Sequence, residues 1–182
     1  MNATPLLGRI LGALKEQHLE AVLIGNAAAA IHGAPVTTLG FDFMFRATPA
    51  NLRKLKAVAR SLGAMILRAY YPVSKFYRVM DDATGLQADF MPAIHGVKSF
   101  AGLRSRAVER EIDGQTLLAA SLGDIIASKK ATGRQQKRGQ LAALKAESER
   151  QMEDLIRRRL ALPLEKRMNF LRKRLPGGGS CL

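Results

Sequence analysis

The sequence predicts an α+β fold, a mixed β-sheet flanked by helices, followed by a basic helical C-terminal extension. Three observations carry that prediction. Short apolar runs such as Ala21–Ile24 and Phe41–Phe45 are the length of buried strands, and the first of them ends at Gly25-Asn26. Two turn sequences, one spanning Asp81 to Gly85 and one at Asp113-Gly114, lie between strand-like segments and imply hairpins. Apolar residues at three- and four-residue spacing place helices before, between and after these strands.

Each element has a local reason. Thr4 to His18 reads as a helix because Leu6, Leu7, Ile10, Leu11 and Leu14 share one face. After the strand Ala21–Ile24, the alanine-rich run from Ala27 to Ile31 favours helix, and His32-Gly33-Ala34-Pro35 breaks it. Phe41–Phe45 is the second strand. Thr48 and Pro49 supply a cap and a first turn for a helix carrying Leu52, Leu55, Val58, Ala59 and Leu62, which Gly63 ends. Further strands are expected over residues 64–68, 75–80, 86–90, 108–112 and 116–118. Ser121 with Asp124 three residues on resembles a capping arrangement for a helix containing Leu122, Ile125 and Ile126, which Gly133 interrupts.

From Gln135 to Arg159 the composition favours helix, Pro163 breaks it, and Leu160, Leu164, Met168, Leu171 and Leu175 form a last apolar stripe. This divides the chain into a domain at 1–145, a basic helical extension at 146–175 and a flexible Gly-rich tail at 176–182.

Composition narrows the function classes. Hydrophobic residues make up 47% of the 182 and charged residues 24%, enough to bury a core without staples. The lone cysteine, Cys181, excludes an intramolecular disulfide and suits a reducing compartment. No secretory leader or membrane span is evident, because Arg9, Lys15 and Glu16 interrupt the first helix; a cytoplasmic protein with no membrane partner is expected. The net charge is +14, and residues 125–182 hold 15 Lys and Arg against 5 Asp and Glu. Such a segment attracts nucleic acid or an acidic protein, or is the solvated face of helices. His18, His32 and His95 lack metal-ligand spacing, and His32 is read as a capping or packing residue.

The residues that carry chemistry lie between Leu23 and Lys129. Leu23-Ile24-Gly25-Asn26-Ala27 is followed by Ile31-His32-Gly33, by Thr38, by Phe41-Asp42-Phe43-Met44 and by Leu86-Gln87-Ala88-Asp89-Phe90. Asp124 to Lys129, with Gly133-Arg134, closes the series. This order resembles the nucleotidyltransferase superfamily, the DNA-polymerase-β-like fold, over roughly residues 20–145. The resemblance implies transfer of a nucleoside monophosphate from an NTP to a hydroxyl acceptor, with Mg²⁺ or Mn²⁺. Asp42 and Asp89 would be the metal-holding, catalytic carboxylates. Gly25, Asn26, Thr38 and Lys129 would bind the nucleotide. The chemistry suits the types: a glycine turn brings backbone N–H groups to a phosphate, and carboxylates at i and i+2 of a strand share one face.

The sequence departs from that pattern. The family's Asp-x-Asp would place its first carboxylate at position 40, which is Gly40, or, with Asp42 as the first of the pair, its second at position 44, which is Met44, and either register leaves one carboxylate of the two; Asn26 stands for the second Gly or Ser of the turn, and Val36 for an Arg. A second reading therefore stands beside the enzyme: a catalytically degenerate binding module of this fold that takes nucleic acid or a protein partner. Some small bacterial members of the superfamily form half of a toxin–antitoxin pair. Read without the resemblance, Asp42 and Asp89 are polar-face residues of half-buried strands, and the basic residues Lys129, Lys130, Arg134, Lys137 and Arg138 a solvated helix face.

Overall fold

A computed structural model describes residues 4–38, 40–68 and 76–132, together with 146, 147, 149, 150, 152–154, 156–158, 160 and 161. The chain divides into two compact units, Met1–Lys145 and Ala146–Leu182.

The first unit follows the periodicities of its sequence. Helix α1 (Thr4–Glu16) buries Leu7, Ile10, Leu11 and Leu14, as its apolar stripe requires. Strand β1 (Ala21–Ile24) runs directly into α2 (Gly25–Ile31), so the helix begins two residues earlier than alanine content alone predicts. Gly25, with φ +68°, makes this junction in place of a turn. Strand β2 (Phe41–Phe45) precedes α3 (Pro49–Ser61), whose Thr48 hydroxyl accepts from the Asn51 N–H at 3.2 Å. Then come β3 (Met65–Arg68), β4 (Tyr77–Asp81) and β5 (Leu86–Met91). The Asp81 carboxylate shapes the turn, accepting from Ala83 N–H at 3.1 Å and the Thr84 hydroxyl at 2.6 Å, and Gly85 adopts φ +70°.

Helix α4 (Phe100–Arg106) has no counterpart in the sequence reading. Its seven residues present only Phe100 and Leu103 to the core, too few to set a period. Strands β6 (Val108–Ile112) and β7 (Gln115–Ala119) form a hairpin whose Asp113 and Gly114 both have positive φ, the condition of the turn that an Asp-Gly pair favours. Helix α5 (Leu122–Ala131) starts at the Ser121 cap, where the hydroxyl accepts from Asp124 N–H at 3.1 Å and donates to Asp124 Oδ2 at 2.7 Å.

The seven strands form one mixed sheet in the order β3-β4-β5-β2-β1-β7-β6. Pairs β2·β5 and β1·β7 are parallel and the remaining four are antiparallel. One sheet face carries Phe41, Phe43, Phe45, Ala88, Phe90 and Val79 into the core. Helix α1 packs on α3 and β7, while α2 packs on β1, β2 and α5. The other face, carrying Asp42 and Asp89, is where α2 and α5 leave a cleft.

In the second unit the described residues between 146 and 160 are helical, with Met152, Ile156 and Leu160 exposed. The expected helical span 135–145, the stripe at Leu164, Met168, Leu171 and Leu175, and the tail 176–182 lie outside the described residues. Among the described residues no helix is long and apolar enough to cross a membrane.

Candidate functional site

Three adjacent strands set the centre of the cleft. In the parallel pair β2·β5, Asp42 lies opposite Asp89, and in the antiparallel pair β4·β5, Asp89 lies opposite Arg78. Residues directly opposite each other in a sheet point the same way, so Asp42, Asp89 and Arg78 form a row across one face. Ile24 of β1 pairs with Asp42 on the far side, which brings Gly25 against the Asp42 carboxylate. The approach is so close that a Cβ at Gly25 would lie 2.5 Å from Asp42 Oδ2. Only glycine tolerates both that contact and a φ of +68°.

Arg78 grips Asp89 with two parallel bonds, Nε to Oδ1 and Nη2 to Oδ2, each 2.8 Å. The Phe76 ring lies beneath the guanidinium, with its centroid 5.4 Å away. The Arg78 pKa is raised above its already high value. The hydrogen bonds to Asp89 are the main cause, burial opposes them, and the charges of Asp89 and Asp42 add to the rise.

The opposite wall is polar. Lys129 Nζ donates to Asn26 Oδ1 at 2.6 Å, and Asn26 Nδ2 donates to the Thr37 carbonyl at 3.0 Å. One chain of bonds thus ties α5, α2 and the segment leading to β2. Thr38 donates from its hydroxyl to the Gly40 carbonyl at 2.5 Å. Asp124 is held by Arg106, whose Nη2 lies 2.7 Å from Oδ1, so the last turn of α4 anchors the first turn of α5. Buried His32 bonds the Ala120 carbonyl through Nε2 at 2.9 Å, the packing role expected of it. The third wall, Phe76, Met91, Pro92, Ala93 and Ile94, is apolar. The cleft is open to solvent on one side and has a volume of about 1020 Å³, room for a nucleotide-sized molecule.

The structure therefore brings Gly25, Asn26, Thr38, Asp42, Asp89 and Lys129 into one cleft. It adds Arg78, Phe76 and the wall from Met91 to His95, which the sequence reading missed. Lys130 is exposed, and Arg134, Lys137 and Arg138 lie outside the described residues. Val36, at the position of the family's arginine, packs partly buried against the core.

As arranged, the carboxylates do not fit a pair of divalent cations. Gly40 offers no oxygen from its side chain, and a Cβ there would meet the Gln87 carbonyl oxygen at 3.3 Å. Both oxygens of Asp89 are occupied by a guanidinium, whose charge repels a cation. Among the described residues no three Asp, Glu, His or Cys side chains converge as metal ligands.

Comparison with solved structures defines the architecture. The crystal structure of ANT(2'')-Ia in complex with adenylyl-2''-tobramycin superposes with a TM-score of 0.57 at 17% identity, over 88% of this chain and 100% of that one. The fold is nucleotidyltransferase-like. The solution structure of the antibiotic-resistance factor ANT(2'')-Ia matches at TM-score 0.49 and 16% identity, over 85% of this chain and 95% of that one. A Thermotoga maritima crystal structure, provisionally assigned as a nucleotidyltransferase, matches at 0.48 and 18%, over 82% of this chain and 91% of that one. No protein-family model matches the sequence, and neither does any curated protein. At such identities the likeness is one of fold, and the nucleotidyltransferase-like frame sets where the cleft lies rather than what it does.

Proposed function

We propose that this chain is a nucleotide-binding protein of nucleotidyltransferase-like fold whose cleft takes a nucleoside phosphate without paired-metal transfer chemistry. The observation that carries this reading is the state of the carboxylate row. Gly40 stands at the position of one expected carboxylate, and Asp89 is bound to Arg78 at 2.8 Å through both oxygens. What supports nucleotide binding is the cleft's two-sided character. Lys129 and Asn26 offer donors on one wall, and Phe76, Met91 and Ile94 offer an apolar surface to a base on another.

Thermal unfolding with ATP, GTP, CTP or UTP tests it, each in Mg²⁺, in Mn²⁺ and in EDTA. A ligand at 100 times its Kd adds about 2.7 kcal/mol, which raises Tm by about 5–10 °C for a chain of this size. A rise with at least one nucleotide is expected. Pyrophosphate release from an NTP in Mg²⁺ with a hydroxyl acceptor would replace this reading with the enzymatic one, in which Asp42 and Asp89 hold metal. No rise with any nucleotide would remove it.

The charge of residues 125–182 supports a second proposal: the C-terminal part binds a polyanion, either nucleic acid or an acidic protein. Arg157 and Arg158 are exposed there. Affinity for a nucleic-acid duplex should fall steeply with salt and vanish on deletion of residues 150–182. A salt-independent affinity would contradict it.

A further inference from the structure

We infer that Arg78 is the phosphate-binding group of this cleft, standing where a divalent cation would otherwise bridge ligand and protein. The inference rests on the nucleotide-binding reading above and names the group that makes it work.

A guanidinium carries five N–H donors in a rigid fork. Arg78 commits two of them, on Nε and Nη2, to Asp89. Nη1 makes no hydrogen bond among the described residues, so one edge of the fork can face the cleft. The side chain is 37% exposed, open to a ligand, whereas Asp89 behind it is 15% exposed. Asp89 and the Phe76 ring fix the plane of the fork from two directions, which lowers the ordering entropy lost when a phosphate binds. The register makes this arrangement a property of the fold. Arg78 sits opposite Asp89 on β4, and Asp89 opposite Asp42 on β2.

The same geometry disfavours a metal. A cation seeking the Asp89 lone pairs would have to displace two charge-assisted bonds and approach a guanidinium. The apolar residues Met91 and Ile94 line the same cleft as Arg78, so a nucleoside whose phosphate binds Arg78 has an apolar surface to lie against.

The experiment is calorimetric titration of the full-length protein with ATP, and with inorganic pyrophosphate, in EDTA and in Mg²⁺. ATP should bind in EDTA with a Kd within about threefold of that in Mg²⁺. Arg78→Ala should weaken both probes by about tenfold or more, the loss of one charge-assisted contact. Arg78→Lys keeps the charge but cannot hold Asp89 bidentately and still present a fork, so it too should weaken binding. It guards against a folding defect in the alanine variant, whose melting curve is measured alongside. ATP binding that requires Mg²⁺, or that both variants leave unchanged, overturns the role of Arg78 and leaves the nucleotide cleft standing. No binding of either probe by the unaltered protein overturns both.

Discussion

Replacing Gly96 with alanine should destabilise the protein by about 2–5 kcal/mol and weaken ligand binding in the cleft. Gly96 has φ +78°, a conformation that costs an L residue about 1–2 kcal/mol. A Cβ there would lie 2.5 Å from the Ala127 carbonyl oxygen, 2.7 Å from its carbon and 3.0 Å from the Ser128 nitrogen. Those are backbone atoms of α5, so no side chain can rotate to make room, and overpacking of this kind costs a further ~1–3 kcal/mol. Relief requires α5 to separate from the loop that carries Pro92 to His95. These are two walls of the cleft, and Ser128 and Lys129 would move with the helix. Urea unfolding measures the first effect and ATP titration the second. Gly63→Ala is the control. Gly63 has φ +68° with nothing within 4 Å of its would-be Cβ, so it should show the strain alone, about 1–2 kcal/mol. Equal losses at the two positions would mean that α5 does not press on Gly96.

Much of this architecture is legible in the sequence because local signals and burial agree. Thr48-Pro49, Ser121 with Asp124, and Asp113-Gly114 each act within a few residues, and each forms as its chemistry dictates. Phe41 and Phe43 face the core with Asp42 between them on the cleft side, so the direction of Asp42 follows from its phenylalanine neighbours. The start of α2 was not legible. Gly25 normally reads as a strand end, and the close approach of Asp42, 17 positions away, which requires a glycine there, is not a local signal. Arg78 was missed for a different reason. Nothing about an isolated arginine on a short strand marks it as part of a site. Its partner follows only once the hairpin register pairs Asp81 with Leu86, which sets Arg78 opposite Asp89. The turn at Asp81 to Gly85 held that information, and extending the pairing back along both strands would have found it.

Phe90→Ala should cost about 3–5 kcal/mol and reduce ATP affinity, although the residue touches no ligand. Phe90 is fully buried, stacks on Phe43 with centroids 5.1 Å apart and an interplanar angle of 13°, and meets Phe45 edge-on at 6.0 Å. Removing the ring leaves a cavity against two aromatic neighbours that cannot collapse to fill it without leaving their own contacts. Phe90 follows Asp89 on β5, and Phe43 follows Asp42 on β2, so this stack locks the pairing that sets the two carboxylates side by side. Loosening it frees β5 to shift relative to β2, and the Arg78–Asp89 grip moves with β5. A double-mutant cycle with Phe43→Ala separates general cavity cost from the specific stack. The pair should couple by about 0.5–1.5 kcal/mol, the double variant losing less than the two single variants together. Strict additivity would assign the loss to burial alone, and the aromatic stack would then have no part in holding the carboxylate row.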